Sequence, residues 1–257
     1  MSASPASPNR GFVDHADLQQ FERLGTAWWD ERGAMGALHR LNPTRLRYIR
    51  DRVAAQFGPT VGGDTERGTL PLAGLSLLDI GCGGGLLAEP LTRLGARVTG
   101  IDPGASNIAI ARWHAELSGL AIDYRGITVE ALAAEGARFD AVIASEVVEH
   151  VLDQRGFTDV AASLVKPGGL LLVSTLNRTA KSFLLAIVGA EYVLGWLPRG
   201  THQWDRFVQP RELSRWLEPT GLRTIDQTGM IFDPLRGGWR LGRDTDVNYW
   251  LAAARAR

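Results

Sequence analysis

The chain has 257 residues, 45% hydrophobic and 22% charged, enough for one large α/β domain with additions or for two small domains. Its 28 basic and 28 acidic residues balance, which excludes the strongly basic footprint of a dedicated nucleic-acid binder. The lone cysteine, Cys82, excludes an internal disulfide and suits a reducing compartment; no run approaches the ~18 apolar residues of a membrane span, and the polar N-terminus has no secretory signal.

In chain order, residues 1–12, rich in Ser and Pro, read as a disordered tail. Residues 14–29 read as a first helix, capped by Asp14 or Asp17, with Leu18, Phe21, Leu24 and Trp28 near helical spacing. Asn42 suits an N-cap and Pro43 the first position of a second helix over 42–57, so residues 13–57 form a helical cap. Pro59, Gly62, Gly63 and Gly68 mark a loop over 58–68.

An alternating pattern follows. Strands are expected over 76–80, 97–101, 122–125, 139–144 and 170–175. Helices are expected over 85–93, 106–118, 129–135, from 146 onward, and over 159–165, the last stopped by Lys166-Pro167-Gly168-Gly169. Strands alternating with helices predict a doubly wound α/β fold with a parallel sheet. After an interruption at about 178–207, residues 210–217 read as a helix, and the chain from Leu222 holds two or three strands without a helix between them. An antiparallel pair at the sheet edge fits that ending.

The most informative stretch is Leu77-Leu78-Asp79-Ile80-Gly81-Cys82-Gly83-Gly84-Gly85, a buried strand stopping at a glycine turn ahead of a helix. This is the nucleotide-binding opening of a doubly wound domain. Gly81 and Gly83 fit a dinucleotide fingerprint, but its third glycine position is Leu86. Asp79, just before the turn, is a poor neighbour for a pyrophosphate and a good one for a cation. Asp102, at the end of the second strand, can accept ribose hydroxyls. The two acids favour S-adenosylmethionine, with its sulfonium and ammonium and no phosphate, over NAD. Cys82 is most simply a small residue that fits the turn.

Leu78 to Gly85, followed by Gly100-Ile101-Asp102, resembles the class I S-adenosylmethionine-dependent methyltransferases. Longer strings bring the chain closer to the ubiquinone-biosynthesis O-methyltransferases: Trp28-Trp29-Asp30, residues 38–46, Glu146-Val147-Val148-Glu149-His150, residues 174–179, Gly189-Ala190-Glu191-Tyr192, residues 198–202 and Asp246-Val247-Asn248-Tyr249. The resemblance implies a Rossmann-like, mostly parallel seven-stranded sheet with an antiparallel C-terminal edge pair, in a single domain over 13–257. It implies methylation of polyprenyl catechols and demethylubiquinol, with cofactor contacts at Arg45, Gly81, Asp102 and Ser145, the last departing from a bulkier residue in some relatives. It also implies a cytoplasmic protein on the inner membrane surface that works beside other enzymes of the pathway. Arg45 can bind the methionine carboxylate bidentately, or be an ordinary helix-surface arginine.

A phenol needs activation at neutral pH, by a base or by a metal. On a helix Glu146, Glu149 and His150 stand at i, i+3 and i+4 and share one face. His150 can take the phenol proton, or the three side chains can hold Mg²⁺; alternatively Glu146 caps the helix and His150 packs on the sheet. The interrupting segment 178–207 is densely apolar, with Phe183, Leu184, Leu185, Ile187, Val188, Tyr192, Val193, Leu194, Trp196 and Leu197 flanked by Arg178, Lys181, Arg199 and Arg206. Such a segment suits a membrane interface, or a lid buried in the core or at a dimer contact. The other functional readings are an O-methyltransferase for a soluble phenol and a non-catalytic cofactor-binding protein at the membrane.

Overall fold

The structure, a computed structural model, describes residues 11–33, 35–58, 70–184, 203–233 and 237–257. The expected loop over 58–68 falls outside the described residues from Pro59 on, as do residues 1–10 of the expected tail and residues 185–202 of the apolar segment.

Among the described residues an eight-stranded sheet has the order β3-β2-β1-β4-β5-β8-β6-β7. Its parallel half comprises β1 (Ser76–Ile80), β2 (Arg97–Ile101), β3 (Asp123–Arg125), β4 (Phe139–Ser145) and β5 (Val165–Leu176). β6 (Leu222–Asp233), β7 (Gly238–Gly242) and β8 (Asn248–Arg255) complete it antiparallel, with β8 inserted between β5 and β6. The eighth strand, β7, extends the edge beyond the seven expected.

The strands obey a period of two, and this sorts the core into two faces. Leu77, Ala141, Ile143, Leu170, Leu172, Trp250 and Ala252 turn to one side, against α2 (Gly36–Phe57), α3 (Ala88–Arg93) and α4 (Ala105–Leu117). Leu78, Ile80, Val142, Ala144, Leu171, Val173, Tyr249 and Leu251 turn to the other, against α5 (Val129–Ala134), α6 (Gln154–Ser163) and α8 (Pro210–Leu217). With both faces covered, the central strands read as unbroken apolar runs. A short turn, α7 (Ala180–Ser182), follows β5 and is closed by a capping box from Thr179.

Several boundaries depart from the sequence reading. The first helix breaks at Gly25, which has φ +50°, into α1 (His15–Glu22) and a 3₁₀ turn, Gly25–Trp29. α2 begins at Gly36, so Pro43 lies inside the helix and Asn42 is not its cap; the Asn42 amide donates instead to the Leu86 carbonyl at 2.7 Å. α6 starts after Asp153, whose carboxylate caps it, and Val165 already belongs to β5, which continues through Lys166-Pro167-Gly168-Gly169. Phe12 is tied down: its N–H donates to Glu130, and Val13 bridges Val151, drawing the start of the cap over the sheet's C-terminal edge.

Candidate active site

The glycine turn follows from the end of β1. The N–H groups of Gly81 and Cys82 both donate to the Ile101 carbonyl, at 2.8 and 3.0 Å, which bends the chain off the sheet. Gly81 and Gly83 have φ of +68° and +51°, where a side chain is strained. A Cβ at Gly81 would stand 2.7 Å from Val147, and one at Gly83 would stand 2.4 Å from the Trp28 indole. The turn is therefore glycine both by backbone and by close approach from two sides. The Cys82 thiol is buried, and burial pushes its pKa well up, which leaves it a small packed residue and a poor nucleophile.

Parallel pairing of Asp79 with Gly100 and of Ile80 with Ile101 sets Asp79 and Asp102 at neighbouring strand ends. Asp102 is held by three donors from within: Oδ2 accepts from Gly83 N at 3.0 Å, and Oδ1 accepts from Gly104 N at 2.8 Å and Asn107 Nδ2 at 3.1 Å. Of about four lone-pair sites on a carboxylate, one on Oδ2 is left for another donor. Asp79 differs. It is buried, Oδ2 has no hydrogen-bond partner, and burial together with the nearby Asp102 charge pushes its pKa up to about 7 against the pull of Arg45. Arg45, on α2, is likewise buried and its Nε lacks an acceptor; Glu146 Oε1 lies 3.9 Å from its Nη2. A buried carboxylate and a buried guanidinium, each with an unsatisfied atom at one glycine turn, fit the ammonium and carboxylate of an amino acid. The methionine end of S-adenosylmethionine carries both.

The segment after β4 corrects the sequence reading. Glu146 does not start an α-helix: its φ is +55°, the only positive value at a non-glycine among the described residues. Its N–H donates to the Ser174 carbonyl at 3.0 Å, while the Ser174 hydroxyl donates to Glu146 Oε1 at 2.9 Å and pairs with Ser145 Oγ at 3.0 Å. Only Val148–His150 forms a 3₁₀ turn, so Glu146, Glu149 and His150 do not share one helical face. Strain of this kind at a strand end marks functional sites.

Glu149 is buried beneath the cavity rather than lining it. Its carboxylate makes no hydrogen bond of good geometry, and burial and the Glu146 charge push its pKa up to about 7. His150 turns the other way. Its Nδ1 is 3.2 Å from Asp17 Oδ2 on α1, and Phe21, one helical turn on, meets its ring edge-on at 5.3 Å. Burial lowers the His150 pKa, but the Asp17 hydrogen bond and the Glu149 and Glu146 charges outweigh it and the net shift is upward. Among the described residues no group of three or more His, Cys, Asp or Glu side chains is placed to hold a metal ion. The three expected ligands of Mg²⁺ thus do not fit it as a set.

The turn, Arg45, Asp79, Asp102, Ser145, Glu146 and His150 open into one cleft with a cavity volume of about 210 Å³. The cap closes one side of it with Phe12, Asp17, Phe21 and Trp28. Sequence reasoning missed Asp17 and Asn107 as site residues. Asp17 looked like a helix cap, and nothing local to it signals a partner 133 positions away.

A family model described as a methyltransferase domain matches residues 38–227. The chain is 57% identical, over 95% of its length and 96% of the relative's, to a ubiquinone biosynthesis O-methyltransferase of Methylocella silvestris. It is 56% identical to the protein of the same name from Methylobacterium nodulans, with 95% and 96% covered. Two solved structures share the fold: magnesium protoporphyrin IX methyltransferase from Synechocystis with bound SAH (TM-score 0.57, 20% identity, 96% and 90% covered) and a possible histamine N-methyltransferase from Thermotoga maritima (TM-score 0.61, 15% identity, 93% and 99% covered).

Proposed function

Since this chain belongs to the ubiquinone biosynthesis O-methyltransferases, we infer that it transfers a methyl group from S-adenosylmethionine to a phenolic oxygen of a polyprenyl catechol or demethylubiquinol. The observation that carries the reading is a single cleft lined by both the glycine turn with its Arg45–Asp79 pair and by His150. When bound, the cofactor supplies a methyl group on a positively charged sulfonium. Arg45 would hold its carboxylate, Asp79 its ammonium and Asp102 a ribose hydroxyl. A phenol with pKa ~10 is protonated at neutral pH, so a base beside it raises the rate. The Asp17 carboxylate can only accept at His150 Nδ1, which puts the ring proton there and the lone pair on Nε2. Nε2 is then the atom that takes the phenol proton, and the nearby carboxylates stabilise the imidazolium that results. The cleft walls exclude water and keep acceptor and donor in line.

Methyl transfer to a polyprenyl catechol, followed by mass spectrometry of the product, tests this. Cofactor binding with no transfer under any condition would overturn it in favour of a non-catalytic binder. Equal turnover of tail-less catechols would favour a soluble phenol as substrate.

We further propose that the protein is cytoplasmic and works peripherally on the inner membrane surface. No helix among the described residues is long and apolar enough to cross a bilayer. Phe183, Leu184 and Trp204, at the described ends of the apolar segment, are 44%, 59% and 38% exposed. Among the described residues, the flanking cations are already paired: Arg178 with Glu212, Lys181 with Asp244 and Arg206 with Asp14. Apolar insertion rather than attraction to anionic lipid would drive binding, so flotation with neutral and anionic vesicles should give similar bound fractions.

A further inference from the structure

The hydrogen bonds around Asp102 continue into the N-terminal cap. Asn107, buried in the first turn of α4, donates from Nδ2 to Asp102 Oδ1, and its Oδ1 accepts from Trp28 Nε1 at 3.0 Å. An amide can face either way, but an indole N–H is only a donor. Trp28 therefore fixes the Asn107 amide with its N–H₂ toward Asp102; the reversed amide would set oxygen against carboxylate oxygen. Trp28 is itself held flat on the glycine turn, since a Cβ at Gly83 or Gly84 would lie 2.4 or 2.6 Å from it. Its neighbour Trp29 donates to the Gly84 carbonyl at 3.0 Å and stacks on His114 of α4 at 3.4 Å. Ser106 Oγ completes the junction with a 3.2 Å bond to the Glu22 carbonyl.

We propose that Trp28 and Asn107 are positioning residues for the cofactor's ribose, so that docking of residues 15–29 and binding of S-adenosylmethionine stabilise each other. The inference rests on the reading that Asp102 receives a ribose hydroxyl. Trp28 holds Asn107, Asn107 and two backbone N–H groups hold Asp102, and the remaining Oδ2 lone pair is aimed by that scaffold. Whatever loosens the cap loosens the ribose site, and by linkage the cofactor tightens the cap.

Calorimetric titration with S-adenosylmethionine tests this in Trp28→Phe, Asn107→Ala and the double variant. Trp28→Phe keeps an aromatic ring on the turn but removes the N–H and part of the indole, a packing loss that its melting temperature reads separately. Each single change should weaken binding about tenfold, and the double no more than the larger single, because one chain of bonds is cut once. In turnover the loss should fall on KM for the cofactor more than on kcat. Amide hydrogen exchange over residues 15–29 should slow on adding the cofactor to the wild type and respond little in Trp28→Phe. Additive losses in the double variant overturn the proposal. So does wild-type affinity in Trp28→Phe, including the case where only its melting temperature falls. Asp102→Ala separates the premise: wild-type affinity there removes the ribose reading and the proposal with it, whereas lost affinity there and none lost in Trp28→Phe removes the proposal alone.

Discussion

Replacing Asp79 by Asn should stabilise the cofactor-free protein at alkaline pH while weakening cofactor binding. Asp79 is 2% exposed, and its pKa is pushed from 3.8 up to about 7 by burial and by Asp102. At about 1.4 kcal/mol per tenfold change in proton affinity, ionised Asp79 destabilises the empty fold by roughly 4 kcal/mol at pH 8. The neutral amide removes that penalty but leaves a buried polar group incompletely bonded, at about 1–3 kcal/mol. The net gain is roughly 1–3 kcal/mol, several degrees of Tm for a chain of this size. The sign depends on pH. A folded-state pKa above the unfolded one means the native chain keeps a proton the unfolded chain has released, so stability falls as pH rises from 3.8 toward 7. Near pH 4 the native side chain is protonated and the unfolded one partly so, the penalty falls below about 1 kcal/mol, and the advantage of Asp79→Asn vanishes. Glu149, raised to about 7 by burial and Glu146, gives both proteins the same background slope. The informative quantity is therefore the difference in Tm between parent and variant across pH 4–8. Loss of a charge-assisted bond to the ammonium should weaken S-adenosylmethionine binding about 10- to 100-fold. An Asp79→Asn protein destabilised equally at pH 4 and pH 8, with unchanged affinity, would refute the argument.

Other consequences are as direct. His150→Ala should lower kcat at pH 7 by about 10²–10⁴-fold, with the deficit shrinking near pH 10 as the phenol ionises unaided; a constant deficit across pH counts against proton removal by this ring. Asp17→Asn keeps the shape of the His150 contact without its charge and should reduce kcat by about tenfold, leaving cofactor affinity in place. Gly83→Ala forces a Cβ to 2.4 Å from Trp28 at a backbone φ of +51°, and should cost about 1–3 kcal/mol in urea melts along with cofactor affinity. Phe183→Asp with Leu184→Asp should abolish flotation with vesicles yet leave turnover of a short-chain catechol intact; undiminished flotation would move the membrane contact elsewhere.

The strands, the glycine turn and the two acids beside it were legible in the sequence because their causes are local. A period of two sorts Leu170 and Leu172 from Leu171 and Val173, and glycines stand where the turn needs positive φ. Parallel register then carries Asp79 and Asp102 to neighbouring strand ends without further information. Arg45 came from the family resemblance; only the fold shows it buried with an unsatisfied Nε. The segment from Glu146 to His150 misled because helical spacing was the only local signal, while Glu146 is held in a left-handed conformation by Ser174, 28 positions away. Likewise α2 runs back to Gly36 past Asn42 and Pro43, and the Asn42 amide answers to Leu86 rather than to its own helix. The Asp17–His150 pair and the Trp28–Asn107–Asp102 chain span 133 and 79 positions. No periodicity reaches that far: these contacts exist only because the cap folds over the sheet's C-terminal edge, where burial removes water as the competing partner for each polar group and leaves the protein to supply it.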